Sequence, residues 1–406
     1  MPRTALSSHG DLVPSAVLAL LGQRGALSRA DIARILDVSP ATITQVTKEF
    51  LAKGIIEEQA SVPSAGGRPA RLIGLAQDAG GAIGVKVAAQ HVEIVTVAID
   101  GEITSAAHHP YDATADNAIE ELCTLLKTQL SQFTGKLLGI GIGIAGNVNS
   151  QESGIVNAPT LGWKEAKLGP TLRNTFGVPV LVENDVNALA VAERLYGTGQ
   201  RYNSFLTVTI GRGIGCGMIV DGALHRGAAG GAGEIGHLPT AIDGPLCDCG
   251  AYGCLEALVG QKAFEQQARQ AGIITPEQNI TDLLDQASRG NTTAQDIYKK
   301  AGYTLGRAIA GVVHTIDPEI VVLLGEGIDA WEHWQPGFER GFRSGQWATR
   351  TNLPYVVEPW DDDKWALGAA ALVLAAPFDS RNTSGGQGKL VRERLNTGAT
   401  LAGVTP

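Results

Sequence analysis

The sequence predicts a loop-rich α/β body preceded by a small α+β unit of three helices and a hairpin. Three observations carry that prediction. The 406 residues are 44% hydrophobic and include 52 glycines, the profile of a loop-rich α/β protein with room for two or three domains. Residues 1–75 read as short capped helices and a hairpin, whereas from residue 80 strands alternate with glycine turns and helices. Charge divides at the same place. Residues 1–75 carry 8 Lys+Arg against 6 Asp+Glu, a balance of +2, in a chain whose net charge is −9. An acidic body behind a mildly basic unit argues against wrapping nucleic acid over the whole surface and fits a DNA reader attached to something else. No run approaches the ~18 apolar residues of a membrane span, and the N-terminus lacks a small-residue cleavage pattern. A cytoplasmic protein with no membrane partner is expected.

In the N-terminal unit, residues 14–22 (PSAVLALLG) give a first helix, and Ser28 caps a second over Ala30 to Leu36. Ser39 caps a third, with Pro40 at its first position. Ile43, Val46, Phe50 and Leu51 form its apolar stripe, and Thr42, Thr44, Gln45 and Lys48 face outward. Short polar side chains on an exposed helix suit a major groove, Gln for adenine edges and Lys for phosphate or guanine. Strands from Gly54 and at Arg71 to Leu75 then enclose the tip SVPSAGGRPAR, whose Arg68 could enter a minor groove. A helical hairpin used for protein contacts is the alternative.

The body begins with strands Ala82 to Val87 and Val92 to Ile99, a helix from about Asn117 to Phe133, and strand Leu138 to Ile144. A helix at 170–176 leads to strand Val178 to Val182 and the run Glu183-Asn184-Asp185-Val186-Asn187-Ala188. An Asp at the carboxyl end of a strand can serve as general base on a hydroxyl, with the preceding Asn holding a neighbouring one. Both residues could instead cap the following helix. Residues 205–224 read as two strands around a glycine loop, 261–313 as largely helical, Ile320 to Leu324 as a buried strand, and Trp365 to Ala376 as a closing helix. Residues 377–406 lack periodicity and are expected to be a disordered tail.

Three of the five cysteines, Cys247, Cys249 and Cys254, cluster downstream of His237. Three thiolates and an imidazole make a closed tetrahedral zinc set, structural rather than catalytic, which disfavours a zinc hydrolase. A disulfide would leave an odd cysteine, and nothing else suggests secretion. Glu234 and Glu256 flank the cluster; held by a zinc loop they would suit sugar hydroxyls, although surface glutamates have the same spacing.

The pattern Gly-Glu-x-Gly-His followed by Cys-x-Cys-Gly-x3-Cys-Leu-Glu-Ala resembles the ROK family of bacterial sugar kinases and sugar-responsive repressors. So do the Glu-Asn-Asp-x-Asn-Ala run, the turn GIGIAGNVN at 141–149 and the Gly-Arg-Pro wing. The resemblance implies a two-lobed actin-like ATPase (sugar kinase-like) body at 76–376, with lobes of roughly 76–188 plus 365–376 and 189–364. It implies a winged helix-turn-helix over 1–75. By the same resemblance Asn184, Asp185, Glu234, His237 and Glu256 grip a sugar, Asp185 matching the kinases' base, and Asn147 lies in the sugar-side turn. Operator DNA, a sugar or sugar derivative, and a homodimer or dimer of dimers are the implied partners.

One family motif is missing. Where active kinases carry Asp-x-Gly-Gly-Thr, the chain has Lys86-Val87-Ala88-Ala89-Gln90; Arg212 replaces a threonine and Glu326 interrupts the adenosine glycines. Phosphoryl transfer depends on positioning and metal neutralisation, so loss of kinase activity is expected, with Asp185 a vestigial base. Lys86 and Arg212 keep phosphate binding open as point charges. A sugar-responsive regulator, most simply a repressor, is the leading expectation; an active ATP-dependent sugar kinase with an appended DNA-binding domain is the alternative.

Overall fold

The computed structural model describes residues 12–62, 70–76, 79–347, 352–379 and 383–397. Two compact units emerge. The first comprises the chain to Asn203, Gly222–Gly230 and the chain from Asp363; the second comprises Ser204–Asp221 and Gly231–Asp362. The expected boundary at 188/189 moves to 203/204, because the helix that starts at Asp185 stays whole within the first unit.

Helix α1 (Val13–Arg24) opens the first unit, followed by β1 (Leu27–Ser28), α2 (Arg29–Leu36) and α3 (Pro40–Ala52). Ser28 accepts from the Asp31 N–H and Ser39 from the Thr42 N–H, so both expected caps are formed. Strands β2 (Ile56–Val62) and β3 (Ala70–Leu75) pair antiparallel, with β1 on the other side of β3. Ile43 and Phe50 are buried, and Val46 and Leu51 pack on the same core. Thr47, a polar residue outside the expected stripe, is fully buried. Its hydroxyl donates to Ile43 O at 2.8 Å and accepts from Arg29 Nε at 3.0 Å, which satisfies it there.

A five-stranded sheet follows in the order β11-β7-β4-β5-β6. Strands β4 (Gly81–Val87), β5 (His91–Ala98) and β6 (Ile103–Pro110) form an antiparallel meander, and helix α4 (Ala118–Gln132) leads to β7 (Leu137–Ile144), parallel to β4. The sequence gives no sign of β6, an edge strand that is largely exposed and lacks apolar alternation. A small sheet of β8 (Asn147–Val148), β9 (Val156–Ala158) and β10 (Trp163–Ala166) precedes α5 (Leu168–Phe176). Then β11 (Val180–Asn184) adds parallel to β7 and runs directly into α6 (Asp185–Tyr196).

In the second unit β12 (Phe205–Ile210) and β13 (Ile214–Val220) form a hairpin; β14 (Ala223–Leu224) falls in the segment assigned to the first unit. Helices α7 (Leu255–Val259), α8 (Gln261–Gln270), α9 (Ile280–Ser288) and α10 (Thr292–Ile316) precede β15 (Ile320–Leu324), parallel to β12. Helix α11 (Trp331–Gly345) and edge strand β16 (Tyr355–Val357) complete it.

The chain closes in the first unit with α12 (Asp363–Ala375) and α13 (Gly385–Thr397). Gly84 and Gly141 let α12 lie against the sheet, since a Cβ at either would run into the Ala366 or Ala369 carbonyl. The expectation of a disordered tail is corrected by α13. Val391 and Leu395 are buried in the core, Arg394 Nε donates to Leu137 O at 2.9 Å, and Gln387 Oε1 accepts the Val180 N–H at 3.2 Å. Two well-placed apolar side chains and polar ties to strand edges suffice where an amphipathic period is too short to show. Among the described residues no helix is long and apolar enough to cross a membrane.

Candidate functional site

The metal set is the most compact feature. In the second unit, one ligand atom each from His237, Cys247, Cys249 and Cys254 lies within 4.8 Å of all the others. Cys249 and Cys254 Sγ are 3.7 Å apart, and His237 Nδ1 is 3.6 Å from Cys247 Sγ. A tetrahedron with Zn–S bonds of about 2.3 Å has edges of about 3.8 Å, so the spacing fits. Backbone bridges Pro239–Cys254 and Leu246–Tyr252 set the loop, and Gly253, with φ 75°, passes so close to the Ala241 carbonyl that no side chain fits. Burial, then the neighbouring Cys249 and Cys247 thiols, push the Cys254 thiol up to about 12. Cys247 is also raised, chiefly by burial, whereas the Ala251 N–H leads in holding Cys249 below its ordinary value.

The flanking carboxylates differ. Glu234 is exposed and precedes the 3-10 turn Ile235–His237. Glu256, in the first turn of α7, accepts the Ile214 N–H at 3.1 Å and lies against Gly213 and Gly236. That turn, Gly211-Arg212-Gly213, is the one expected to meet phosphate. A side chain at Gly211 would run into the Glu326 carboxylate, so an acid lies over the turn, while Arg212 is exposed.

In the first unit, Asn184 is the N-cap of α6. Its Oδ1 accepts from Val186 N at 3.0 Å and Asn187 N at 3.1 Å, and its Nδ2 donates to Gly146 O at 3.2 Å. Asn184 thus caps the helix, as the alternative had it for both residues, while Asp185 is the first residue of α6. Asp185 is 6% exposed; Oδ1 accepts the Val186 N–H at 2.9 Å and Oδ2 is ion-paired with Lys86. Asn147 is half-buried and pairs with Asn157.

Sequence reasoning missed the support of this group. Arg226 Nε reaches the fully buried Glu183 at 2.5 Å, and its other nitrogens donate to Val148 O at 2.7 Å and Asn149 O at 3.4 Å. Gln151 Nε2 donates to the same carboxylate at 3.1 Å. No spacing rule could have joined Arg226 to Glu183 across 43 positions.

On α3, Thr44, Gln45 and Lys48 are exposed and Thr42 is half-buried. The Thr44 hydroxyl donates to Pro40 O at 2.7 Å, and Thr42 shares a 2.8 Å hydrogen bond with Ser39. Gln45 and Lys48 are the longer side chains of this outer face. Arg68 lies outside the described residues.

Comparison with known proteins agrees with this layout. The chain is 29% identical to the N-acetylglucosamine repressor of Escherichia coli O6:H1 over 377 residues, 89% of this chain and 92% of that protein. It is 26% identical to the xylose repressor of Bacillus spizizenii, over 75% of this chain and 79% of that one. A solved ROK family transcriptional regulator, described as a homolog of the E. coli MLC protein, superposes with a TM-score of 0.75 at 27% identity, covering 95% of this chain and 99% of its own. Residues 15–63 match the sequence model of the MarR family, consistent with the winged helix. The ROK family model matches residues 82–376, and the chain belongs to the ROK family.

Proposed function

We propose that the protein is a sugar-responsive DNA-binding transcriptional regulator, acting as a repressor, with a structural zinc and no kinase activity. The observation that carries this reading is the ion pair between Lys86 and Asp185. Where the family's kinases place an acid that helps position magnesium, this chain has a cation already spent on the residue matching their base. The Glu326 carboxylate over Gly211 adds like charge where a phosphate would lie. Similarity over most of the chain to proteins named as sugar repressors supports the same reading.

Asn147, Asn184, Asp185, Glu234, His237 and Glu256 are the proposed sugar contacts. Through Nδ1, His237 would take zinc together with Cys247, Cys249 and Cys254, leaving Nε2 for a hydroxyl. Zinc would supply a fixed tetrahedral node that ties the loop; the chemistry stays with the side chains. Thr42, Thr44, Gln45, Lys48 and Arg68 are the proposed DNA contacts, in a homodimer or dimer of dimers.

The test joins three readouts on zinc-loaded protein: thermal shift, phosphoryl transfer from magnesium–ATP, and release of a duplex selected from random DNA by the protein itself. N-acetyl-D-glucosamine, D-glucose and D-xylose are the probes. Stabilisation and DNA release by one of them without turnover is expected; turnover would install the kinase reading. Glu256→Ala should abolish sugar release while retaining DNA affinity, and Gln45→Ala should lose at least fivefold in DNA affinity while retaining the sugar shift. Equal loss of both functions in either variant would count against the division of labour.

A further inference from the structure

Asp185 is a carboxylate whose two oxygens are both engaged, Oδ1 by the Val186 N–H and Oδ2 by Lys86. The two side chains are 8% and 9% exposed, so the pair is shielded from water. It spans a strand. Lys86 on β4 and Glu183 on β11 both align with Gly143 of β7, and Gly143 places no side chain of its own between them, so that Asp185 and Ala369 lie directly over it. Lys86 therefore crosses from β4 to the start of α6. On the way its ammonium lies 4.3 Å from the ring centroid of Trp365, near the start of α12. Its register partner on β5, Glu93, is a second buried acid. The ammonium thus meets both the face of the indole and a carboxylate, and both belong to elements of one unit.

A buried ion pair contributes little net stability compared with apolar residues of the same volume, although loss of one partner is costly. Its distinctive effect is on geometry. Each carboxylate oxygen has two acceptor positions; Lys86 takes one on Oδ2 and the Val186 N–H one on Oδ1, which together fix the plane of the group. The remaining positions can receive hydroxyl protons as hydrogen bonds, but the group is no longer poised to carry a proton away.

We propose that Lys86 is a positioning residue for sugar recognition: it holds Asp185 as a fixed acceptor for a neutral hydroxyl and, by the same contact, withholds it from base catalysis. The inference rests on the sugar reading given above and names the chemistry at one of its positions. A regulator gains from this arrangement a site that binds sugar without nucleotide and does not consume it.

Sugar affinity and melting temperature of the zinc-loaded full chain would be measured with N-acetyl-D-glucosamine, D-glucose and D-xylose. The variants are Lys86→Met, Lys86→Arg, and the double variant Lys86→Met with Asp185→Asn. Lys86→Met should lower both the melting temperature and the affinity, the latter at least tenfold, and Lys86→Arg should stay within about threefold of the wild type. The double variant removes both charges, so its melting temperature should return towards the wild type while its affinity stays low. Should Lys86→Met alone fail to fold, the double variant decides. Affinity within twofold in Lys86→Met, or affinity recovering with melting temperature in the double variant, overturns the inference and leaves the sugar reading standing. A wild-type protein that binds none of the three sugars overturns both.

Discussion

Glu183 shows how single side chains hold the proposed sugar residues in place. With no exposed surface, its carboxylate is stable because four donors reach it: Gln151 Nε2, the Asn184 N–H, Asn187 Nδ2 and Arg226 Nε. Arg226 also binds the Val148 and Asn149 carbonyls, so one guanidinium joins the start of α6 to the turn that carries Asn147. Arg226→Ala strands a buried acid, and a loss of about 3–5 kcal/mol of unfolding free energy is expected. Adding Glu183→Gln should return part of that loss, because an amide is cheaper to bury than an unpaired carboxylate. Urea unfolding of the two variants measures both terms; a single variant within about 0.5 kcal/mol of wild type, the usual range for surface substitutions, would show the pair to be solvated.

At the scale of elements, what could be read from the sequence depended on how local the signal was. Helices α2 and α3 carry their caps and apolar stripe within a few residues, and the metal ligands fall inside 18 consecutive positions, so both were legible. Strand β6 and helix α13 were not, because each is defined by what it packs against: β6 by its register on β5, α13 by Val391, Leu395 and two polar ties. Lys86 was visible as a departure from a motif, but its partner Asp185, 99 positions away, appears only when β4, β7 and β11 are laid side by side. The metal loop gives its own prediction. Zinc takes thiolates, so loading it displaces protons, and the raised Cys254 and Cys247 thiols enlarge that cost. Zinc affinity should therefore climb as pH rises through the neutral range. Chelation should lower the melting temperature and remove the sugar shift, and re-addition of zinc should restore both. A sugar shift that survives complete chelation, verified by metal analysis, would separate the loop from sugar recognition.

Over the whole molecule, the question is how a sugar contact could reach the DNA reader, and the first unit contains a continuous physical route. Asn184 and Asp185 begin α6, and α6 packs both on α12 and on α1 of the winged helix. The winged helix shares one apolar core with α12 and α13, including Phe50 of α3, whose ring meets that of Phe378 edge-on at 6.1 Å. Helix α1 also passes so close to Asp100 that a side chain on Gly22 would collide with its carboxylate. A reader joined to the body by a core rather than a linker cannot change orientation without repacking it. Sugar release of DNA is worth ~1–3 kcal/mol in typical coupled systems, and the coupling is reciprocal: DNA must weaken sugar binding by the same factor. Phe378→Ala removes the ring contact under α3, the helix proposed to read DNA, without touching any proposed ligand contact. It should bring both factors towards one together, with the intrinsic sugar affinity of DNA-free protein within about twofold of wild type. Titrating sugar with and without the selected duplex, and duplex with and without sugar, gives the two factors independently. Undiminished coupling in a folded Phe378→Ala protein would assign the transmission to α1 and α6 alone.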